Sequence, residues 1–196
     1  MPKSVIVLLA EGFEEVEAIT PIDYLRRVGI EVIASSISGN KIVKSARGIG
    51  IQPDVLLDEF IKEGKPGLEL CDAIIIPGGL PGSDNIASSV EACNFIKEMA
   101  EEGRLICAIC AAPARVLSPL GLLAGKRFTC YPGEEEKVLS PGSNSIGAIW
   151  TEDRVVKDGN LITSRGAGTA GEFSLEIISS LLGKEIAKDL STKILI

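Results

Sequence analysis

Apolar and polar positions fall into two rhythms along this chain, and they alternate. Residues 4–10 (SVIVLLA) and 30–35 (IEVIAS) are short, β-branched apolar runs that predict strands. Between them, 14–28 (EEVEAITPIDYLRRV) repeats apolar residues at helical spacing, with acids in its first turn and arginines in its last, a polarity that suits the helix dipole. Gly29 ends that helix, so the chain opens β-α-β. A hairpin is expected at 41–52. The run 73–77 (AIIIP) is apolar without alternation, as in a strand buried on both faces of a parallel sheet. A helix is predicted at 90–101, a second buried strand at 104–109 (RLICAI) and a helix from about 111 to 118. Residues 126–130 and 145–150 read as strands flanking a short acidic helix at 134–139. The segment 154–164 reads as a hairpin with Asp158-Gly159 at its turn. Helices at 170–182 and 183–191 close the chain. Strands alternating with helices predict an α/β layered sandwich with a mostly parallel central sheet. No linker, repeat or composition shift divides it, so a single domain over 1–196 is expected.

Composition narrows the chemistry. With 45% apolar residues in 196, the chain can bury a sizeable core. A formal charge of −7 argues against binding phosphate backbones, so no nucleic-acid partner is expected. The most restrictive count is zero histidines. Ser-His-Asp and Cys-His catalysis are excluded, as are His-ligated zinc and haem. The run 4–10 is too short for a membrane span or a signal segment, and acids follow it. Five cysteines, an odd number, then suggest reduced thiols in a cytoplasmic protein without membrane contact.

Three loops lie where strands end and helices begin, the usual place for a site in such sheets: 10–17, 77–84 and 108–113. In the third, Cys110 follows the buried strand with Ala108 two residues before it and Ala112 two after. That is the small-x-nucleophile-x-small spacing of a nucleophile elbow. A helix N-terminus there would favour the thiolate; the competing reading is a small buried cysteine. The glycine loop Pro77-Gly78-Gly79-Leu80-Pro81-Gly82 can turn backbone N–H groups toward an oxyanion, or simply form a tight turn. Glu14 and Glu15 complement the helix dipole. Glu17 is of interest if its side chain points over the sheet edge toward Cys110. Two motifs are set aside. Cys107-x-x-Cys110 has redox spacing, but Cys107 falls inside a strand. The literal GxGxxG at 166–171 lacks the following strand and acid of a dinucleotide site, and is better explained as a turn and helix start.

Taken together, Glu14-Glu15-Val16-Glu17, Ile76-Pro77-Gly78-Gly79, Ala108-Ile109-Cys110-Ala111-Ala112-Pro113 and Thr163-Ser164-Arg165-Gly166-Ala167-Gly168-Thr169 resemble the ThiJ/PfpI family, in its DJ-one branch, over nearly the whole chain. The resemblance implies a flavodoxin-like three-layer sandwich and a homodimer. It implies a reactive Cys110 with Glu17 as its carboxyl partner, and the N–H groups of Gly79 and Ala111 around the bound oxygen. Gly78, Tyr131 and Arg47 then lie toward the substrate, and Arg47 with Arg26 and Arg27 near the pocket or the dimer contact. Tyr131 stands where many relatives have a histidine before a proline.

The activity implied is glyoxalase III- or deglycase-like, on methylglyoxal or its early adducts, with a role in oxidative and carbonyl stress and with no metal or organic cofactor. Ionised, Glu17 would repel a thiolate; protonated, it can donate a hydrogen bond to one, so a buried Glu17 with a raised pKa is expected. The alternative is a redox sensor or redox-regulated chaperone acting through oxidation of Cys110.

Overall fold

The computed structural model describes residues 3–62 and 71–196. Seven strands form one sheet: β1 (Ser4–Leu9), β2 (Glu31–Ser36), β5 (Val55–Leu56), β6 (Ala73–Ile76), β7 (Leu105–Ile109), β10 (Val155–Asp158) and β11 (Leu161–Ser164). Their order is β10-β11-β7-β6-β1-β2-β5, parallel throughout except for the edge hairpin β10–β11. Two small pairs stand apart: β3 (Val43–Lys44) against β4 (Gly50–Ile51), and β8 (Arg127–Phe128) against β9 (Ile149–Trp150).

Alternation along the buried strands supplies a core on each face. Val5, Val7, Leu9, Ile75, Cys107, Ile109 and Ile162 face one layer, which contains α1 (Glu15–Arg27), α6 (Ala170–Leu182) and α7 (Lys184–Ile194). Ile6, Leu8, Ile74, Ile76, Ile106 and Ala108 face the other, which contains α4 (Val90–Glu101). The remaining helices among the described residues are short: α2 (Leu57–Lys62), α3 (Gly82–Ser88) and α5 (Glu135–Leu139). None of the described helices is long and apolar enough to cross a membrane.

Four elements differ from the sequence expectation. Residues 111–118 form a π turn (Pro113–Leu117) rather than an α-helix, with the Ser118 N–H donating to the Pro113 carbonyl at 3.0 Å. The strands expected at 126–130 and 145–150 shrink to β8 and β9, because Pro132 and Gly147 (φ 74°) break extended backbone beside them. The hairpin turns at Gly159-Asn160, one residue later than expected, since Asp158 still pairs with Leu161.

The topology sets the place of the site. β1 sends its successor β2 to one side, while β6 adds on the other, so the carboxyl ends of β1, β6 and β7 open onto a switch point. The register Ile76↔Ala108 and Ala108↔Thr163 then brings Gly78, Cys110 and the segment after Ser164 to one level.

Candidate active site

Cys110 follows β7 directly and takes φ 65°, one of two non-glycine residues at positive φ among those described. Such a conformation persists only when neighbours over-determine it. Its N–H donates to the Ser164 carbonyl at 2.9 Å, and its own carbonyl accepts from the Tyr131 N–H at 2.8 Å. The elbow is therefore gripped from both sides, with the side chain only partly buried.

Glu17 comes from the first turn of α1, on the same stripe as the core-facing Ala18, Pro21, Ile22 and Leu25. Its side chain is 1% exposed. Oε2 accepts from the Gly78 N–H at 2.8 Å, and the carboxyl faces the Cys110 thiol and the Ala167 backbone. The backbone N–H groups of Gly79 and Ala111 approach the Cys110 sulfur.

Close packing explains the glycines. A Cβ on Gly78 would lie 2.6 Å from both Cys110 Cβ and Glu17 Oε2. Gly79, at φ 88°, would bring a Cβ within 2.4 Å of the Glu14 nitrogen. The α1 entry is stitched to this loop by the Glu14 N–H donating to the Gly78 carbonyl at 3.0 Å.

The electrostatics are those of a shared proton. Burial is the main reason that Glu17 is pushed up to about 7; the Gly78 N–H and the thiol oppose it. Burial also pushes the Cys110 thiol well above its usual range, and an ionised Glu17 adds to that, outweighing the Ala111 and Gly79 amides. The amides at the turn after Cys110, expected to favour the thiolate, are thus outweighed while Glu17 is ionised. The pair holds two protons at low pH and loses one near pH 7. The remaining proton can then sit on sulfur or on carboxyl, and only the second arrangement exposes a thiolate.

Glu17, Gly78, Gly79, Cys110 and Ala111 thus meet at one point. Tyr131 stands at its rim, 54% exposed, with its ring 3.6 Å from a Cβ position on Gly166. That Cβ position is 3.8 Å from Glu17 Oε1 and 3.9 Å from Cys110 Sγ. Gly166 and Ala167 therefore belong to the site wall, although the GxGxxG pattern singled them out for another chemistry. Their turn is closed by Thr169, whose Oγ1 accepts from the Gly166 N–H at 3.1 Å and donates to its carbonyl at 2.8 Å.

Arg47 is 70% exposed with its guanidinium 3.7 Å from Glu14, outside the group around Cys110. Arg26 binds the Val32 carbonyl and Asp54, and Arg27 binds Asp23, about 15 Å along α1 from Glu17. All five cysteines are free, and Cys107 is fully buried in the core. Among the described residues, no group of three or more Cys, Asp or Glu side chains is placed to hold a metal ion.

Residues 3–180 match the DJ-1/PfpI family. The chain is 37% identical to the Parkinson disease protein 7 homolog of Danio rerio, over 99% of this chain and 97% of that protein. It is 38% identical to the glutathione-independent glyoxalase DJR-1.2 of Caenorhabditis elegans, over 96% and 94%. The crystal structure of Drosophila melanogaster DJ-1beta superposes with a TM-score of 0.89 at 39% identity, covering 100% of this chain and 99% of that one. With a strained cysteine, a buried carboxyl and this whole-chain likeness in one molecule, the chain belongs to the DJ-1/PfpI family.

Proposed function

We propose that the protein is a cofactor-independent glyoxalase III- or deglycase-type enzyme acting on methylglyoxal or its early adducts, with Cys110 as nucleophile and Glu17 as proton carrier. The observation that carries this reading is the buried Glu17 carboxyl against the Cys110 thiol, at a backbone bend that two N–H groups face. The nematode relative's name supports the substrate class.

The Glu17–Cys110 pair supplies the thiolate, which adds to the aldehyde carbon and forms a C–S bond. The Gly79 and Ala111 N–H groups stabilise the oxyanion, which becomes the hemithioacetal hydroxyl on protonation. Glu17 removes the proton on that carbon and returns one to the neighbouring carbonyl carbon, by way of an enediol. The aldehyde carbon is thereby oxidised to a thioester and the ketone reduced to an alcohol, with no external oxidant. Water then cleaves the thioester to lactate and restores the thiol. Methylglyoxal plus water gives lactate, so the atoms balance. Tyr131 closes the rim, and its hydroxyl serves to hold substrate.

The decisive experiment is lactate formation from methylglyoxal by wild type and by Cys110→Ser under reducing conditions. The expected loss is about 10³-fold or more in kcat/KM. Equal lactate from both proteins would remove Cys110 as nucleophile. No lactate from wild type would transfer the reading to oxidation sensing. The partly exposed sulfur beside a proton-bearing carboxyl favours that second reading, because Glu17 can donate to a sulfinate.

We also infer a homodimer in the cytoplasm. Val16 and Ile19, three residues apart on α1, are 44% and 38% exposed, while a Glu15 oxygen beside them is buried without a partner. Sedimentation should give twice the 20.7 kDa chain mass. A monomer at micromolar concentration would overturn this.

A further inference from the structure

Arg115 lies five residues beyond the reactive cysteine, inside the π turn. Its guanidinium joins two carboxylates that come from two other loops. Nη1 donates to both oxygens of Asp84, at 2.8 and 3.0 Å. Nε and Nη2 donate to Glu134 Oε2 and Oε1, at 2.9 and 3.0 Å. Lys137 adds a bond to Glu134 at 2.8 Å. The Arg115 and Glu134 side chains are only 21% and 14% exposed, so this part of the network is largely out of water.

Each partner belongs to a segment that bears part of the site. Asp84 sits in α3, where the Ser83 N–H donates to the Gly79 carbonyl at 2.9 Å. Glu134 follows Tyr131 and donates its N–H to the Tyr131 carbonyl at 3.0 Å. The N–H of Arg115 itself donates to the Ala111 carbonyl at 2.9 Å. One planar fork therefore connects the loops carrying the Gly79 amide, the Ala111 amide and the Tyr131 ring. Asp84 and Glu134 together take bonds from all three guanidinium nitrogens, so its charge is already met by two carboxylates.

We propose that Arg115 is a positioning residue: through Asp84 and Glu134 it holds the Gly79 and Ala111 amides and the Tyr131 rim in fixed relation around Cys110. This rests on the reading of Cys110 as the aldehyde-attacking thiol. Fixed donors stabilise a developing oxyanion without reorganising, and a misplacement of about 1 Å can cost about 10²-fold in rate.

The test compares wild type with Arg115→Met and Arg115→Lys. It reads kcat and KM for methylglyoxal, the rate of Cys110 alkylation by iodoacetamide, and Tm. Arg115→Met should lower kcat about tenfold with KM changed less than about twofold, since a transition-state interaction is loosened. Alkylation should slow by about threefold or more, because the same amides stabilise the thiolate. Arg115→Lys keeps the charge but not the two forks and should fall between. A fall in Tm with kcat and alkylation at wild-type values would show a salt bridge of structural use only, and would overturn the proposal. If Arg115→Met does not fold, Glu134→Gln, which weakens one fork, decides by the same readouts. Should wild type make no lactate, the aldehyde reading fails separately. Alkylation then decides alone: slowed in Arg115→Met supports positioning, and unchanged overturns it.

Discussion

Two carboxyl groups at opposite ends of the same sheet are driven in opposite directions. At the amino end, Asp72 precedes β6, accepts from Lys3 Nζ at 2.6 Å and takes the Ser4 N–H at 3.0 Å. Partial burial would raise it, but the ammonium and the amide more than offset that, and its pKa is lowered. At the carboxyl end, Glu17 accepts from the Gly78 amide, but burial dominates and its carboxyl rises to about 7. The first arrangement is an ordinary paired acid at a wet edge. The second keeps a proton near neutrality at a cost in stability, as the proposed proton carrier requires.

The largest effect on this contrast should come from Gly78→Ala. Its Cβ would have to displace Cys110 or the Glu17 carboxyl, each 2.6 Å away, and neither can move freely. Loss of turnover by about 10²-fold or more is expected, together with about 2 kcal/mol of stability from overpacking. Wild-type turnover and Tm in this variant would show the pair to be far looser than the packing implies.

Glu17→Gln comes next. It should abolish lactate formation by about 10²- to 10⁴-fold while leaving Cys110 oxidisable by peroxide, as read by mass spectrometry, because the amide still donates a hydrogen bond. Stability should move the other way. A carboxyl near 4.5 when unfolded and about 7 when folded contributes fully below pH 4.5, and that contribution is lost as pH rises through 7. The variant should therefore gain on wild type between pH 5 and pH 8, by up to about 3 kcal/mol. A stability difference that is flat across this range would mean Glu17 is not raised.

The smallest effect belongs to the other end. Asp72→Asn should cost about 1 kcal/mol or less at pH 7, since its ion pair with Lys3 is partly solvated. Cys110 alkylation should be unaltered. A change in that rate would show the two ends of the sheet to be coupled.

Local chemistry made much of this legible. The unalternating runs 4–10, 73–77 and 104–109 could be little but buried parallel strands, and β1, β6 and β7 lie within them. Cys110, flanked by small residues after a buried strand, announced the bend that its φ of 65° displays. Glu17 was harder. It sits among apolar neighbours on the core stripe of α1, but an acid in a first helical turn is also an ordinary dipole complement. Gly166 and Ala167 were hidden by a pattern with a better-known meaning. Nothing in the sequence marks Arg115; the fold alone places Asp84 and Glu134 against its guanidinium.

By itself, the sequence determined the alternation of strands and helices, the absence of any imidazole chemistry and the position of the strained cysteine. Each of these follows from side-chain pattern or composition within a short window. Only the tertiary structure decided that burial raises Glu17 to about 7, that Glu17 lies against the Cys110 thiol and pushes it up, and that one guanidinium pairs with both Asp84 and Glu134. Those properties arise from burial and from distances between residues far apart in sequence, such as the 93 positions from Glu17 to Cys110. Neither quantity exists until the sheet register brings the strand ends to one level.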